Sequence, residues 1–223
     1  MQKTVIIVAG GSGLRMNSET PKQFIEINGL PVLMHTINRF YEFSSNIEVR
    51  LVLPQHQFDF WEALCQKHNF TKTHELYSGG KTRFHSVKNG LQSLSPNGLV
   101  AIHDGVRPLA SIGTIRNCFM AAEEYGAAIP VIDVHETIRK TDGLYSHTVD
   151  RRNFRLVQTP QVFDARLLID AYRQEYNDSF TDDASVFEST GKPVMLVDGN
   201  RENIKITTPA DLIIASALLS QGL

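Results

Sequence analysis

Short runs of β-branched and other apolar residues alternate with helix-length segments along most of this chain. The runs at 5–8, 49–53, 74–77, 99–103, 127–132 and 194–197 predict strands. Helical spacing of apolar residues, or helix-start signals, predict helices at 30–43, 55–68, 83–94, 111–125, 164–176, 182–190 and 209–219. This alternation is typical of βαβ units. We therefore predict an α/β fold with a largely parallel twisted sheet and helices on both faces, whose ligands bind beyond the carboxyl ends of the strands.

Composition excludes several classes of protein. The 223 residues carry 22 Lys and Arg against 24 Asp and Glu, a net charge of −2, which argues against nucleic-acid and polybasic membrane binders. Cys65 and Cys118 lie far apart and outside any Cys-x-x-Cys pattern, so they indicate neither a disulfide scaffold nor a zinc site. Without a long apolar run or a signal-peptide pattern, we expect a cytoplasmic protein without a membrane span.

One polar stretch interrupts the alternation. The segments 137–140 and 145–149 flank Thr141-Asp142-Gly143, a pattern typical of a hairpin with a glycine-containing turn. With no internal repeat or low-complexity linker elsewhere, the pattern predicts one domain, 1–223, with a projecting β-arm at about 133–158. We expect no fused second catalytic domain.

Three familiar motifs are incomplete. Gly11-Ser12-Gly13 begins a dinucleotide fingerprint, but its sixth position is Met16 and Pro21 interrupts the helix that should follow. Gly80-Lys81-Thr82 lacks the earlier glycine of a Walker A loop, since residue 75 is Glu. The eight histidines show no recognised metal-ligand spacing. Neither a dinucleotide site, a Walker A loop nor a histidine metal site is indicated.

The loop after the first strand predicts a phosphate site. Residues 9–16 read Ala-Gly-Gly-Ser-Gly-Leu-Arg-Met and are followed by Pro21-Lys22-Gln23. Glycines allow successive backbone N–H groups to converge on an anion, and Arg15 and Lys22 add positive charge. The alternative is an ordinary glycine-rich turn with two solvated bases.

A second charged loop follows the strand at 99–103. Asp104 and Arg107 follow directly after this strand. An aspartate at this position suits Mg²⁺, which bridges substrate phosphates. The alternative is an Asp–Arg pair that only fixes the conformation of the loop. Further bases occur at Arg83, Arg151, Arg152 and Lys205.

Seven motifs together resemble a known family. They are the glycine loop with Pro-Lys-Gln, Gly79-Gly80-x-x-Arg83-x-x-Ser86-Val87, His103-Asp104-x-x-Arg107-Pro108, His147 to Arg151, Gln158 to Phe163, Thr181 to Ser185 and Asn203 to Thr207. In this order they resemble the 2-C-methyl-D-erythritol 4-phosphate cytidylyltransferases, nucleotidyltransferases with a Rossmann-like fold. The resemblance implies that CTP and the polyol phosphate are joined with release of pyrophosphate and with Mg²⁺ as cofactor.

The resemblance also implies roles for individual residues. It implies catalytic contacts from Arg15, Lys22 and Lys205; CTP contacts from Ala9, Gly10, Gly11, Gly13, Gly80, Arg83, Ser86 and Asp104; substrate contacts from Asp104, Arg107, Thr137, Arg151, Thr159 and Thr181; and a metal ligand at Asp104. It further implies a homodimer through the arm, with Arg151 and Thr159 serving the neighbouring site while Thr137 lines the pocket of Asp104.

Alternative functions are distinguishable. Ribitol 5-phosphate cytidylyltransferases share the glycine loop, but the motifs around Arg83 and Arg151 favour methylerythritol phosphate. A nucleotide-binding module without catalysis is the alternative from another class, and the presence of Lys22, Asp104 and Lys205 argues against it. Lys81 departs from the family pattern, in which an acid is common at that position, so an acidic contact there is not expected.

Overall fold

The computed structural model of the chain describes residues 1–10 and 20–222. Its strands are β1 (Lys3–Val8), β2 (Glu26–Ile27), β3 (Leu30–Pro31), β4 (Glu48–Leu53), β5 (Glu75–Ser78), β6 (Leu99–Asp104), β7 (Ala127–Asp133), β8 (Arg139–Thr141), β9 (Ser146–Thr148), β10 (Arg155–Val157), β11 (Gln161–Asp164) and β12 (Met195–Asp198). Its α-helices are α1 (Val32–Phe43), α2 (Phe58–Lys67), α3 (Arg83–Gly90), α4 (Ile112–Tyr125), α5 (Ala165–Ala171), α6 (Asp183–Glu188) and α7 (Pro209–Ser220).

A mixed, mostly parallel sheet organises the chain. Strands β5, β4, β1 and β6 run parallel in that order, and β12 runs parallel to β7. Between β6 and β7 lies β11, which is antiparallel to both. The predicted α/β class with a largely parallel sheet is confirmed. The sequence pattern did not predict β11, nor β10, which pairs antiparallel with β7, nor the short pair of β2 and β3.

Side chains on β1 show why its apolar run is continuous. Ile7 packs on one face of the sheet with Phe40 of α1, while Ile6 packs on the other face with Val87 of α3. All four side chains are buried, as expected for a parallel strand covered by helices on both sides. The predicted two-faced helical covering is confirmed.

The arm is the least buried part of the fold. Strands β8 and β9 pair antiparallel, with Arg139 opposite Thr148, and Gly143 adopts φ +106° in the turn between them. Every residue of β8 and β9 is exposed. This confirms the predicted hairpin.

Several helix ends differ from the predictions. The helix expected to reach Tyr176 ends at Ala171, and the one expected to reach Leu94 ends at Gly90. The segment at 55–57 is a short 3₁₀ helix that precedes α2. None of the helices in the described ranges combines the length and apolar character needed to cross a lipid bilayer.

Candidate active site

A cavity of about 310 Å³ lies at the carboxyl ends of the parallel strands. Ala9 and Gly10, which follow β1, line it together with Gly80 and Ser86 from the region after β5 and Asp104 at the end of β6. Four bases also line it: Lys22, Lys81, Arg83 and Lys205. The loops that the sequence singled out therefore meet at one place.

A larger groove of about 570 Å³ lies elsewhere and lacks this convergence of charge. It runs between Phe24 and Phe60, and its charged lining residues, Glu26 and Lys67, pair with each other at 2.6 Å. The smaller, charged cavity is the stronger candidate for chemistry, because active sites concentrate perturbed ionisable groups.

Asp104 is the centre of a cluster of three cations. Its Oδ2 lies 3.1 Å from Lys205 Nζ and 3.1 Å from Arg107 Nε, and its Oδ1 lies 3.7 Å from Arg83 Nε. Burial alone would raise the pKa of this carboxyl group, but Arg83, Lys205 and Arg107 hold it well below its usual range. The carboxylate is therefore permanently charged, and three positive groups surround it.

Arg83 is held by a second carboxylate that the sequence analysis did not single out. Asp183 of α6 is fully buried; its two oxygens accept hydrogen bonds from Arg83 Nη2 at 2.7 Å and from the Tyr172 hydroxyl at 2.7 Å. Burial would lower the pKa of Arg83, yet Asp183 and Asp104 raise it above its ordinary value. The acidic residues of the Thr181 to Ser185 motif were the only sequence signal for this contact. They could not identify Arg83 as the partner, because Arg83 lies 100 residues away in the sequence.

The loop after β6 is anchored from several sides. Arg107 Nη1 donates to the carbonyl oxygen of Asn203 at 2.7 Å, and the Ile206 N–H donates to the carbonyl oxygen of Val106 at 3.0 Å. A Cβ on Gly105 would lie 2.6 Å from the Cβ of Ala9, so this position accepts only glycine without a shift of the backbone. The loops that carry Asp104, Ala9 and Lys205 are therefore packed directly together.

His103 lies beside this loop and is fully buried. Burial lowers the pKa of its imidazole to about 4, so the ring is neutral at pH 7. An unfolded histidine binds a proton below about pH 6.5. Below that pH the unfolded state binds a proton that the folded state does not, and stability falls as the pH approaches 4.

We expect His103 to reduce the stability of the protein by about 3 kcal/mol between pH 6.5 and pH 4. Chemical unfolding of the wild type and of His103→Asn at both pH values, in buffer containing EDTA, measures this difference. The variant should lose less stability than the wild type over this interval. An equal loss in the two proteins would contradict the assignment of a neutral buried ring.

The nucleotide loop predicted at 9–16 falls mostly outside the described residues, including Gly11, Gly13 and Arg15. Of its predicted residues, Ala9 and Gly10 are described, and Lys22 lines the cavity from the opposite end of the loop. Gln23 is buried; its Nε2 donates to the Ala9 carbonyl oxygen at 2.8 Å. The buried Gln23 Oε1 has no hydrogen-bond donor among the described groups, which adds Gln23 to the site residues that the sequence analysis missed.

Gly80 and Ser86 form a compact turn at the start of α3. The Gly80 N–H donates to Ser86 Oγ at 3.0 Å, and the Ser86 hydroxyl donates to the carbonyl oxygen of Thr82 at 3.0 Å. A Cβ on Gly80 would collide with the Cβ of His85, so glycine is needed here for close packing. Thr82 caps α3, and Arg83 is the first residue of that helix. This cap fixes where Arg83 enters the cavity.

The predicted substrate residues are only partly brought together. A smaller pocket of about 150 Å³ adjoins the cavity through Arg83, Asp104 and Lys205, and Arg107, Thr159 and Thr181 line it. Arg151 is exposed and donates a hydrogen bond to the carbonyl oxygen of His135, at the base of the arm. It does not line either of the two pockets around Asp104.

Two assignments need correction. Thr137 does not line the pocket of Asp104 in its own chain, because residues 134–138 lead away from the sheet edge into the arm and Thr137 is exposed. Thr159 is buried and accepts a hydrogen bond from the Asp104 N–H at 3.1 Å, so it lies in the pocket of its own chain, where the sequence analysis had not placed it. The cause is β11, whose pairing with β6 places Gln161 opposite Ile102 and hence Thr159 beside Asp104.

Comparisons with known proteins agree on one family. A family model described as "2-C-methyl-D-erythritol 4-phosphate cytidylyltransferase" matches residues 3–221. Proteins of that name from Bacteroides fragilis and Bacteroides thetaiotaomicron are 58% and 55% identical over 219 residues, which is 98% of this chain and 100% of each relative.

Solved structures give the same result. The 4-diphosphocytidyl-2C-methyl-D-erythritol synthase from Anaerococcus prevotii superposes with a TM-score of 0.82 at 32% identity, covering 98% of this chain and 96% of that one. The 2-C-methyl-D-erythritol 4-phosphate cytidylyltransferase from Thermus thermophilus superposes with a TM-score of 0.80 at 33% identity, covering 99% and 100%.

Proposed function

This chain belongs to the 2-C-methyl-D-erythritol 4-phosphate cytidylyltransferase family, and from that membership we propose how its residues carry out the reaction. The enzyme transfers CMP from CTP to 2-C-methyl-D-erythritol 4-phosphate, with release of pyrophosphate, in the non-mevalonate route to isoprenoid precursors. The observation that carries the residue assignment is the cluster of Lys205, Arg107 and Arg83 around Asp104 in the cavity at the carboxyl ends of the strands.

The reaction needs no protein nucleophile. An oxygen of the substrate phosphate attacks the α-phosphorus of CTP, and the bond to the β-phosphate bridging oxygen breaks as pyrophosphate leaves. The protein must therefore align two anionic substrates and stabilise the negative charge that accumulates between them. Cys118 does not take part, because burial raises the pKa of its thiol to about 12.

Each base has a place in this scheme. Lys205 contacts the α-phosphate, while Lys22 and Arg15 hold the β- and γ-phosphates. Backbone N–H groups of the loop at Ala9, Gly10, Gly11 and Gly13 bind the same phosphates, and the Gly80–Ser86 turn contacts the cytosine. Lys205 is suited to exchange Asp104 for a phosphate oxygen, because its side chain remains 43% exposed and three cations share that single carboxylate.

The polyol phosphate occupies the adjoining pocket. Arg107, Thr159 and Thr181 line it, and Asp104 separates it from the nucleotide cavity. Asp104 accepts hydrogen bonds from hydroxyl groups of the substrates, since its low pKa keeps it an acceptor at any pH near neutrality.

We propose that the enzyme is a homodimer whose arm completes the neighbouring site. Exposed apolar side chains on and beside the arm support this arrangement: Leu144 is 92% exposed, Tyr145 78% and Leu156 49%. In the dimer Arg151 and Thr137 reach the polyol phosphate pocket of the partner subunit, which accounts for their distance from the pocket of their own chain. In this arrangement residues 1–223 act as one domain with an arm. We place the enzyme in the cytoplasm.

Enzymes of this family generally use a divalent cation, and we propose that it is Mg²⁺. The donor set fits an ion that arrives on the triphosphate, because Asp104 is the one acidic residue lining the cavity within the described ranges and Mg²⁺ usually takes one or two carboxylates plus phosphates. When bound, the ion neutralises part of the phosphate charge.

Chelation of the cation should remove activity without loosening the fold. We place the ion on the triphosphate and not in the fold; the described ranges hold no cluster of three or more His, Cys, Asp or Glu residues that could bind a metal by itself. We expect EDTA to abolish turnover, excess Mg²⁺ to restore it, and the melting temperature of the substrate-free enzyme to stay the same. A lower melting temperature in EDTA would contradict this placement of the ion.

Product analysis tests the proposed function. Enzyme, CTP and 2-C-methyl-D-erythritol 4-phosphate are incubated and followed by ³¹P NMR, where a diphosphate diester and pyrophosphate should appear in equal amounts. Binding of CTP without any new phosphorus resonance would instead identify a nucleotide-binding module.

A further inference from the structure

His103 uses both of its ring nitrogens beside the catalytic loop. It occupies the penultimate position of β6, is fully buried, and packs against the ring of Phe40 with the two centroids 4.9 Å apart. Its Nε2 lies 3.1 Å from the carbonyl oxygen of Arg107, and its Nδ1 lies 3.0 Å from Thr159 Oγ1. A buried ring with both nitrogens paired can fix the groups that it contacts.

Three hydrogen bonds link Arg107, His103, Thr159 and Asp104 in a row, and the direction of each can be assigned. The carbonyl oxygen of Arg107 can only accept, so Nε2 carries the ring proton. In that tautomer Nδ1, 3.0 Å from Thr159 Oγ1, accepts the proton of the Thr159 hydroxyl. The Thr159 oxygen in turn accepts the Asp104 N–H at 3.1 Å.

We propose that His103 is a positioning residue for cytidylyl transfer, which acts through Thr159 on Asp104 and directly on the backbone of Arg107. The inference rests on the proposed function, because His103 affects the reaction only if Asp104 and Arg107 bind the substrates as proposed. Other anchors hold the far side of the loop, where Arg39 Nε donates to the Pro108 carbonyl oxygen at 3.2 Å. The Ile206 N–H also bonds the Val106 carbonyl oxygen within the loop, and His103 adds the contacts to the Arg107 carbonyl oxygen and to the Thr159 hydroxyl.

The hydrogen bonds of Thr159 also restrict which substrate group it can bind. Its hydroxyl proton points to His103, so towards the substrate the oxygen can only accept a hydrogen bond. Phosphate oxygens are acceptors as well, whereas the hydroxyl groups of a polyol are donors. Where Thr159 contacts the substrate, its partner is therefore a hydroxyl group of the polyol phosphate and not the phosphate.

Kinetics of matched variants test the positioning role. His103→Phe keeps an aromatic ring against Phe40 but removes both hydrogen bonds, and Thr159→Val removes the hydroxyl at nearly constant volume. We expect each to lower kcat/KM for the polyol phosphate by about 10- to 100-fold, mainly through KM, with a smaller change in KM for CTP. His103→Asn and Thr159→Ser, which keep the Nδ1-side acceptor and the hydroxyl, should recover most of the loss.

The coupling between the two residues separates positioning from a general packing defect. Both substitutions interrupt the same row of hydrogen bonds. The double variant should therefore have a kcat/KM no lower than that of the poorer single variant. His35→Phe is the control, since His35 of α1 also bonds a carbonyl oxygen, that of Ile27, but lies outside both pockets. Its activity should match the wild type. Multiplicative losses in the double variant would overturn the proposal.

Histidine ¹⁵N NMR of the resting enzyme gives a readout independent of turnover. The His103 ring should be the Nε2–H tautomer, and Thr159→Val should shift its Nδ1 resonance. An Nδ1–H tautomer in an active wild type would overturn the positioning role alone, whereas a wild type that transfers no CMP would overturn the proposed function and this role together.

Discussion

Replacing Lys205 with methionine should lower kcat/KM by about 10² to 10³. The ammonium group lies 3.1 Å from Asp104 in the resting site and is the partner that can turn to the α-phosphate. Removal of a group that contacts the reacting phosphate lowers the stabilisation of the transition state more than that of the bound substrate, so kcat should fall along with kcat/KM. Methionine keeps an unbranched side chain, and Asp104 retains Arg83 and Arg107 as partners, so the fold should persist.

Lys192→Met is the matched control for this variant. Lys192 is half-buried, with its ammonium group 3.2 Å from the Thr190 hydroxyl, and it lies outside the two pockets around Asp104. Its kinetic constants should equal those of the wild type. If Lys205→Met kept kcat/KM within a few-fold of the wild type, the place of Lys205 at the α-phosphate would be wrong.

Arg151→Ala should lower activity about 100-fold although Arg151 lies outside the pocket of its own chain, because its guanidinium binds the substrate phosphate of the partner subunit. Mixing two inactive variants tests this sharing. In a mixed dimer of Arg151→Ala and Lys205→Met, one site receives both defects and the other receives neither. After full exchange of subunits at equal concentrations, about a quarter of the wild-type activity should return.

A second mixture controls for restored stability. Lys22 and Lys205 line the cavity of the same chain, so a mixed dimer of Lys22→Met and Lys205→Met has one defect in each site. That mixture should stay inactive. A monomer with full activity by light scattering, or an inactive mixture of Arg151→Ala with Lys205→Met despite proven exchange, would refute the shared site.

The elements that the sequence predicted best are those with a continuous local signal. The β-branched run of β1 and the turn at Gly143 each depend on residues adjacent in the chain, and both were predicted. Strand β11 was missed because its four residues carry no alternation, and its pairing with β6 and β7 arises from residues distant in sequence.

The candidate site shows the same division. Asp104 and Lys205 were predicted from short motifs, and the structure brings them within 3.1 Å of each other. Asp183 was not assigned a role because its partner Arg83 belongs to a different helix. Thr159 was not placed in the pocket of its own chain because its position depends on the pairing of β11, which no local pattern revealed.

The most direct test of the central claim is a pyrophosphate-release assay that compares substrates at the same enzyme concentration. With CTP, kcat/KM for 2-C-methyl-D-erythritol 4-phosphate should exceed that for ribitol 5-phosphate. With the methylerythritol substrate, CTP should exceed ATP, GTP and UTP. Equal or faster turnover of ribitol 5-phosphate, or equal use of another nucleotide, would contradict the account.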